Sequence, residues 1–324
     1  MGYGSYSQDA HQALLAARAS VPQAEVFRQT ACHALMDPKG LRARECRDSP
    51  DHPESLGIVF ALDVTGSMGE IPRLLARKEL PTFMKLLGEC AVPDPQVLFM
   101  AVGDATCDRA PLQVGQFETT AELMDQWLTW CYLEAGGGGN AHESYELALY
   151  ALAQHTDLDC WAKRRKRGYL FMTGDELPYP SVSRHQVEAL FGEKLDEDLT
   201  LEEVIAAAAE TYHLFFLIPD LRRRAVVEPR WRELLGDQVI CLESPQDTCA
   251  AAAALVGLTE GRLQDLDALG RILKADGWER GRIGGVVRAL RPYADLLGKA
   301  AVARPAAGSR TGATRAGWWR RLFG

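Results

Sequence analysis

Residues 56–68 read LGIVFALDVTGSM. Gly57 and the unbroken apolar run Ile58–Leu62 show no polar alternation, which predicts a strand buried on both faces. The run ends in Asp63, then Thr65 and Ser67 at alternate positions, and a helical pattern follows. An open α/β sheet places its ligands at the carboxyl ends of such strands. One carboxylate and two hydroxyls are oxygen donors suited to a hard cation such as Mg²⁺, with Mn²⁺ or Ca²⁺ as alternatives.

Outward from this strand the chain alternates strands and helices, as a mostly parallel sheet requires. A helix is predicted over 69–87, with Leu74, Leu75, Leu80, Met84, Leu86 and Leu87 on one apolar face. Val97–Val102 is the second strand. The short return through GDATCDRA to PLQVGQF predicts an antiparallel edge strand. A helix over 119–133 follows, then Gly136–Gly139, Asn140, and a helix in ESYELALYALAQ. Further strands are predicted at Tyr169–Thr173, His213–Ile218 and Gln238–Leu242, with helices at 200–211, 231–235 and 246–256 between and after them. The fold class is therefore α/β, a doubly wound, mostly parallel sheet with one antiparallel edge strand and a helical C-terminal extension.

Four segments are expected: an N-terminal extension (1–55), the α/β domain (56–257), a helical extension (258–300) broken at Asp276-Gly277 and Gly284-Gly285, and a basic tail (301–324). The tail carries arginines without an acid and ends GWWRRLFG. It reads as a disordered tail, with weak membrane contact by residues 318–323 as the alternative.

Asp63-x-Thr65-x-Ser67, with this order of elements and Thr173-Gly174-Asp175 at the end of a later strand, resembles the metal-ion-dependent adhesion site (MIDAS) of von Willebrand factor A (VWA) domains. Two longer runs, DPQVLFMAVGDATCDRAPLQVGQFE and GGGGNAHESYELALY, resemble a bacterial group of VWA-containing proteins. The resemblance implies a Rossmann-like VWA fold and a metal held by Asp63, Thr65, Ser67 and Asp175. The second loop normally offers a threonine after glycines. Here Asn140 stands nearest that position, with Glu143 next. Asp104, Asp108, Glu143 and Glu176 are candidates for the surrounding shell, with Asp104 and Asp108 as a second cation position or as caps of their own turn. Asp220 and Glu243, also at strand ends, are expected on the same rim.

The function so implied is a Mg²⁺-dependent protein-binding module that captures a partner's Asp or Glu carboxylate. A metal-dependent hydrolase of phosphoesters or nucleotides, using His142 and Glu143, is the first alternative. A structural scaffold with a vestigial ion site is the second. The sequence offers neither a P-loop ending nor HExxH nor a Gly-x-Ser-x-Gly elbow, so no catalytic residue is assigned.

Bulk properties agree. A net charge of −8 argues against general nucleic-acid binding. Eight cysteines lie at scattered positions with no CxxC pair, as reduced thiols do. Cys32, His33, Cys46 and His52 match no usual zinc spacing. MGYGSYSQDAHQ has no apolar leader core, so a cytoplasmic location is expected.

Overall fold

A computed structural model of the chain describes residues 4–134, 141–219 and 221–302. Six strands form the central sheet: β1 (Leu56–Asp63), β2 (Pro95–Val102), β3 (Leu112–Val114), β4 (Gly168–Thr173), β5 (Tyr212–Ile218) and β6 (Val239–Cys241). Their spatial order is β6-β5-β4-β1-β2-β3, all parallel except β3, which runs antiparallel to β2. This is the doubly wound, Rossmann-like, mostly parallel sheet with one antiparallel edge strand expected from the sequence. The chain reverses its winding between β1 and β4, so a crevice opens at their carboxyl ends.

All eight residues of β1 are buried, in keeping with its central place. One face carries an aromatic ladder set by register. Phe60 lies opposite Phe99 on one side and Phe171 on the other, and Phe171 opposite Phe215. Ring centroids along it are 5.4–5.9 Å apart. Phe83 meets Phe60 edge-on at 5.0 Å. Offset and edge contacts of this kind add to plain area burial.

Among the described residues, ten helices of eight residues or more surround or adjoin the sheet, Arg184–Phe191 and nine that are numbered. The nine are α1 (Gln8–Arg18), α2 (Leu80–Glu89), α3 (Ala121–Thr129), α4 (Tyr145–His155), α5 (Leu201–Thr211), α6 (Leu221–Leu235), α7 (Thr248–Thr259), α8 (Leu266–Ala275) and α9 (Arg280–Val302). α2 packs on α7 on one side, and α4 on α5 on the other. The helix expected over 69–87 is divided: a 3-10 turn at Gly66–Gly69, a helical turn at Glu70–Leu74, a π segment at Leu75–Glu79, and α2.

Several elements differ from the sequence reading. The helix Arg184–Phe191 is not among those expected, nor is Asp159–Arg164, nor the parallel pairing of Arg44–Cys46 with Thr156–Leu158. α6 is three times longer than expected and runs through Pro229. Gly284-Gly285 does not break α9. Gly285 is small for a reason: a Cβ there would sit 3.0 Å from Glu243 Oε2, so close packing outweighs the poor helix propensity of glycine. The C-terminal helices also reach the core: Val286, Leu290 and Tyr293 are buried, and Tyr293 meets Phe215 edge-on at 5.0 Å.

The N-terminal extension lies along the β3 edge. Val114 N donates to the Met36 carbonyl, and Arg44 donates to the Val114 carbonyl. Such pairing removes the exposed ladder of an edge strand. Cys32, His33, Cys46 and His52 do not converge on a common point. His33 stacks on Trp130 at 4.0 Å, His52 Nε2 sits 2.7 Å from the Gly4 carbonyl, and Cys46 is buried. The eight cysteines form no disulfide.

A polar cluster pins the extension. Asp48 accepts from Arg164 at 2.7 and 3.0 Å and from Ser55 N and Oγ at 3.1 and 2.7 Å. These bonds outweigh burial and hold its carboxyl well below the usual range. A depressed pKa means the stabilisation is present above the unfolded value and fades as pH falls through the folded one. Asp48→Asn should therefore destabilise by about 1–3 kcal/mol at neutral pH and by much less in strong acid; urea denaturation at both pH values checks it.

Candidate functional site

The crevice is built first from β1. Val64 N continues the ladder to the Val102 carbonyl, and the chain then turns at Gly66, where φ is +38°. Asp63, fully buried, closes this turn from within: its Oδ1 accepts from Thr65 N at 2.9 Å and from Thr65 Oγ1 at 2.7 Å. Aspartate commonly folds back on the backbone two residues ahead in this way. Its other oxygen, Oδ2, accepts from Tyr145 Oη at 2.9 Å. Tyr145 opens α4 and stands edge-on against the stacked rings of Phe216 and Trp231.

The second wall comes from the residues before α4. His142-Glu143 pairs in parallel with Leu177-Pro178, and Leu177 N donates to the Ala141 carbonyl. Ser144 ties the same segment to the end of β2: its N donates to the Gly103 carbonyl and its Oγ accepts from Ala105 N. Glu143 is thereby aimed at β1. Its Oε1 stands 2.8 Å from Thr65 Oγ1, and its buried Oε2 has no hydrogen-bond partner among the described residues. The Thr65 hydroxyl has one proton and two carboxylate neighbours, so it serves one acceptor at a time.

The third wall is the loop after β4. Asp175 is buried, and its charge is felt at Asp63. Arg223, at the start of α6, stands 3.9 Å from Asp175 Oδ2 and 2.5 Å from Glu176 Oε2. Gly174 is required by a close approach: a Cβ there would lie 1.8 Å from Tyr145 Oη. The Thr173 hydroxyl, at the end of β4, is buried with no hydrogen-bond partner among the described residues.

Electrostatics follow from this packing. Burial pushes the Asp63 carboxyl up to about 7, against the bonds from Thr65 and Tyr145, and Asp175 adds to the rise. Burial also pushes Glu143 up to about 9, helped by the charges of Asp63, Asp108 and Asp104. Glu146, fully buried one turn on, is raised to about 8, again chiefly by burial. These are carboxyls gathered where water cannot separate them.

Asp63, Thr65, Glu143 and Asp175 are thus brought to one crevice. Ser67 lies in the Gly66–Gly69 turn, but its side chain falls outside the described residues, as do Asn140 and Asp220. Asp104 and Asp108 sit beside the crevice as turn caps. Asp104 Oδ1 accepts from Thr106 N, Thr106 Oγ1 and Tyr179 Oη, repeating the Asp-x-Thr hook of β1, and Asp108 Oδ2 accepts from Asp104 N. Glu176 pairs with Arg223, and Glu243 with Arg288 of α9. His142 lies against the Tyr179 ring at 5.2 Å. Tyr145 was missed from the sequence, where nothing distinguishes it from the apolar positions of its helix.

All four gathered side chains offer oxygen. Among the described residues, no three His, Cys, Asp or Glu side chains form a group able to hold a metal ion by themselves. An ion here would draw on hydroxyl or amide oxygens as well. Among the described residues, no helix is long and apolar enough to cross a membrane.

No family model and no curated protein matches the chain. Among solved structures, the pilus adhesin SpaC of Lactobacillus rhamnosus GG, in an open conformation, is similar over 71% of this chain and 31% of its own, at 10% identity and TM-score 0.42. Proximal thread matrix protein 1 of the mussel byssus is similar over 67% of this chain and 47% of its own, at 11% identity and TM-score 0.40. A von Willebrand factor type A structure from Catenulispora acidiphila is similar over 64% of this chain and 43% of its own, at 13% identity and TM-score 0.38. The chain spans less than half the length of each of these structures. At such identities the likeness concerns fold alone.

Proposed function

We propose that the crevice is a MIDAS-type cation site and that the protein is a Mg²⁺-dependent interaction module. Asp63, Thr65 and Asp175 would hold the ion, with Ser67 from the same turn. Glu143, rather than Asn140, would supply the second loop's contribution. The observation that carries this reading is the Glu143 carboxylate: buried, 2.8 Å from the Thr65 hydroxyl, and left with an unpartnered Oε2. An unsatisfied buried acceptor is costly unless a proton or a cation meets it. The donor set supports Mg²⁺ or Mn²⁺, hard ions that take few carboxylates and keep several waters.

When bound, the ion would supply a positive centre with exchangeable water positions, which a partner's Asp or Glu carboxylate can take. The chain's own residues would set the rest. Asp63 is held in place by Thr65 and Tyr145. Arg223 keeps Glu176 neutralised beside the site, so the rim does not repel an acidic partner outright.

The hydrolase alternative would need His142 as a base at the ion, and its ring lies against Tyr179 instead. No observation favours that reading.

Water-proton relaxation of the Mn²⁺-loaded protein tests the module. A Glu-bearing peptide should lower the relaxation enhancement by displacing bound water, and its Gln counterpart should not. An enhancement indifferent to both peptides would contradict carboxylate capture.

A further inference from the structure

Far from the crevice, α8, α9 and the end of α7 enclose a cleft of about 610 Å³. Leu258, Leu266 and Leu297 give it an apolar lining, and Asp265, Asp267 and Asp295 stand on its rim. Arg291 is the one basic residue in its lining. Asp265 caps α8 by accepting from Ala268 N. Among the described residues, Asp267 and Asp295 enter no ion pair. Apolar lining with an acidic rim suits a segment that is both aromatic and basic.

The chain itself contains such a segment. Residues 303–324 hold Arg304, Arg310, Arg315, Arg320 and Arg321, no acidic residue, and the cluster Trp318, Trp319, Leu322 and Phe323. They leave from the cleft's own wall, since Leu297, Gly298 and Ala300 line it and α9 is described to Val302. Residues 303–317, rich in Ala, Gly, Ser and Thr, separate Val302 from Trp318. A linker of that length and composition spans roughly 20 Å, comparable to the roughly 17 Å of helix between Arg291 and Val302. A tether of this kind gives an effective concentration of about the millimolar order, so a weak contact suffices.

We propose that Trp318–Phe323 docks in cis in the cleft between α7, α8 and α9, with its aromatic and leucine side chains on the apolar lining and its arginines on Asp267 and Asp295. This proposal is independent of the cation site. The occupant is an internal ligand that shields apolar surface, and a competing basic-aromatic peptide would displace it.

The test uses the full chain with a benzophenone amino acid in place of Trp319, irradiated in dilute solution and mapped by mass spectrometry. Docking predicts intrachain cross-links to 258–267 and 291–300. Replacing the exposed Asp267 and Asp295 by Lys should cut that yield by about fivefold, the worth of two surface ion pairs, with a fall in melting temperature of no more than a few degrees, since Asp267 sits in the first turn of α8. Cross-links elsewhere in the chain, interchain products that grow with concentration, or transfer to anionic phosphatidylserine vesicles at the expense of the intrachain product would each overturn the proposal. The interchain result would name a second copy as the occupant, and the vesicle result a membrane.

Discussion

Asp63→Asn should raise the melting temperature of the chelator-treated protein at about pH 8 and abolish its response to Mg²⁺. The two effects have one cause. Burial holds the Asp63 carboxyl up at about 7 in the folded protein, against an ordinary value of 3.8. A raised folded pKa means that folding takes up a proton. That contribution is full below the unfolded value and is lost as pH rises through the folded one. Above about pH 7 the bare carboxylate is therefore a burden on the metal-free fold. Asparagine keeps an acceptor for Thr65 N and Oγ1 and turns an amide toward Tyr145 Oη, so its bonds survive without the charge. The advantage over wild type should grow from about pH 4 to near pH 7; the shift alone is worth about 4 kcal/mol, the weaker neutral hydrogen bonds of asparagine offset part of it, and a net gain of roughly 5 °C, or about 2 kcal/mol, is expected at pH 8. Mg²⁺ should stabilise wild type in the same pH range and leave the variant unmoved. A variant that melts lower than wild type at pH 8, or still gains stability from Mg²⁺, would contradict this account of the carboxylate.

Gly174→Ala should be the most destabilising small substitution at the site. The added methyl would lie 1.8 Å from Tyr145 Oη and 2.6 Å from its Cζ. Tyr145 has no room to retreat: it is fully buried against the stacked rings of Phe216 and Trp231, edge-on to both at centroid distances of 5.3 and 5.5 Å. Overpacking of this severity costs about 3 kcal/mol, a fall of about 6–12 °C in a domain of this size. Displacing Tyr145 also takes a donor from Asp63, so Mg²⁺ affinity should change as well. Tyr145→Phe in the same background removes the clashing oxygen and should recover part of the stability. It leaves the contact to the ring carbon, so recovery is incomplete. A double-mutant cycle by thermal melts reads the coupling directly; additive losses would mean that the two residues do not meet as described.

Much of this architecture was legible in the sequence because its strands are buried on both faces. LGIVFALD leaves no doubt about period or burial, and the quick return after Val102 gives away the antiparallel edge strand. What escaped is what periodicity cannot carry. Arg44–Cys46 is three residues of mixed polarity, and its place comes from backbone pairing with Thr156–Leu158 and from the ion pairs of Arg47 and Asp48 nearby. Pro229 and Gly284-Gly285 look like helix breaks, yet tertiary packing carries both helices through them.

The site divides in the same way. Asp63 and Thr65 are neighbours in the chain, and the turn between them follows from local chemistry. Asp175 could be placed because it ends a strand beside β1. The meeting of Thr65 with Glu143 joins residues 78 positions apart and depends on the short pairing of His142-Glu143 with Leu177-Pro178, which no local pattern announces. Tyr145 reads as one more core aromatic until its hydroxyl is seen on Asp63.

The central claim is that the crevice of Asp63, Thr65, Glu143 and Asp175 holds a divalent cation. Titration calorimetry of the chelator-stripped full chain with Mg²⁺, beside Glu143→Gln, tests it most directly. At about pH 8, where Asp63 is mostly ionised and Glu143 is still protonated, the account predicts one saturable site in wild type, with proton release as Glu143 gives up its proton, and markedly weaker binding with most of that release lost in the variant. A flat titration in both proteins would contradict it.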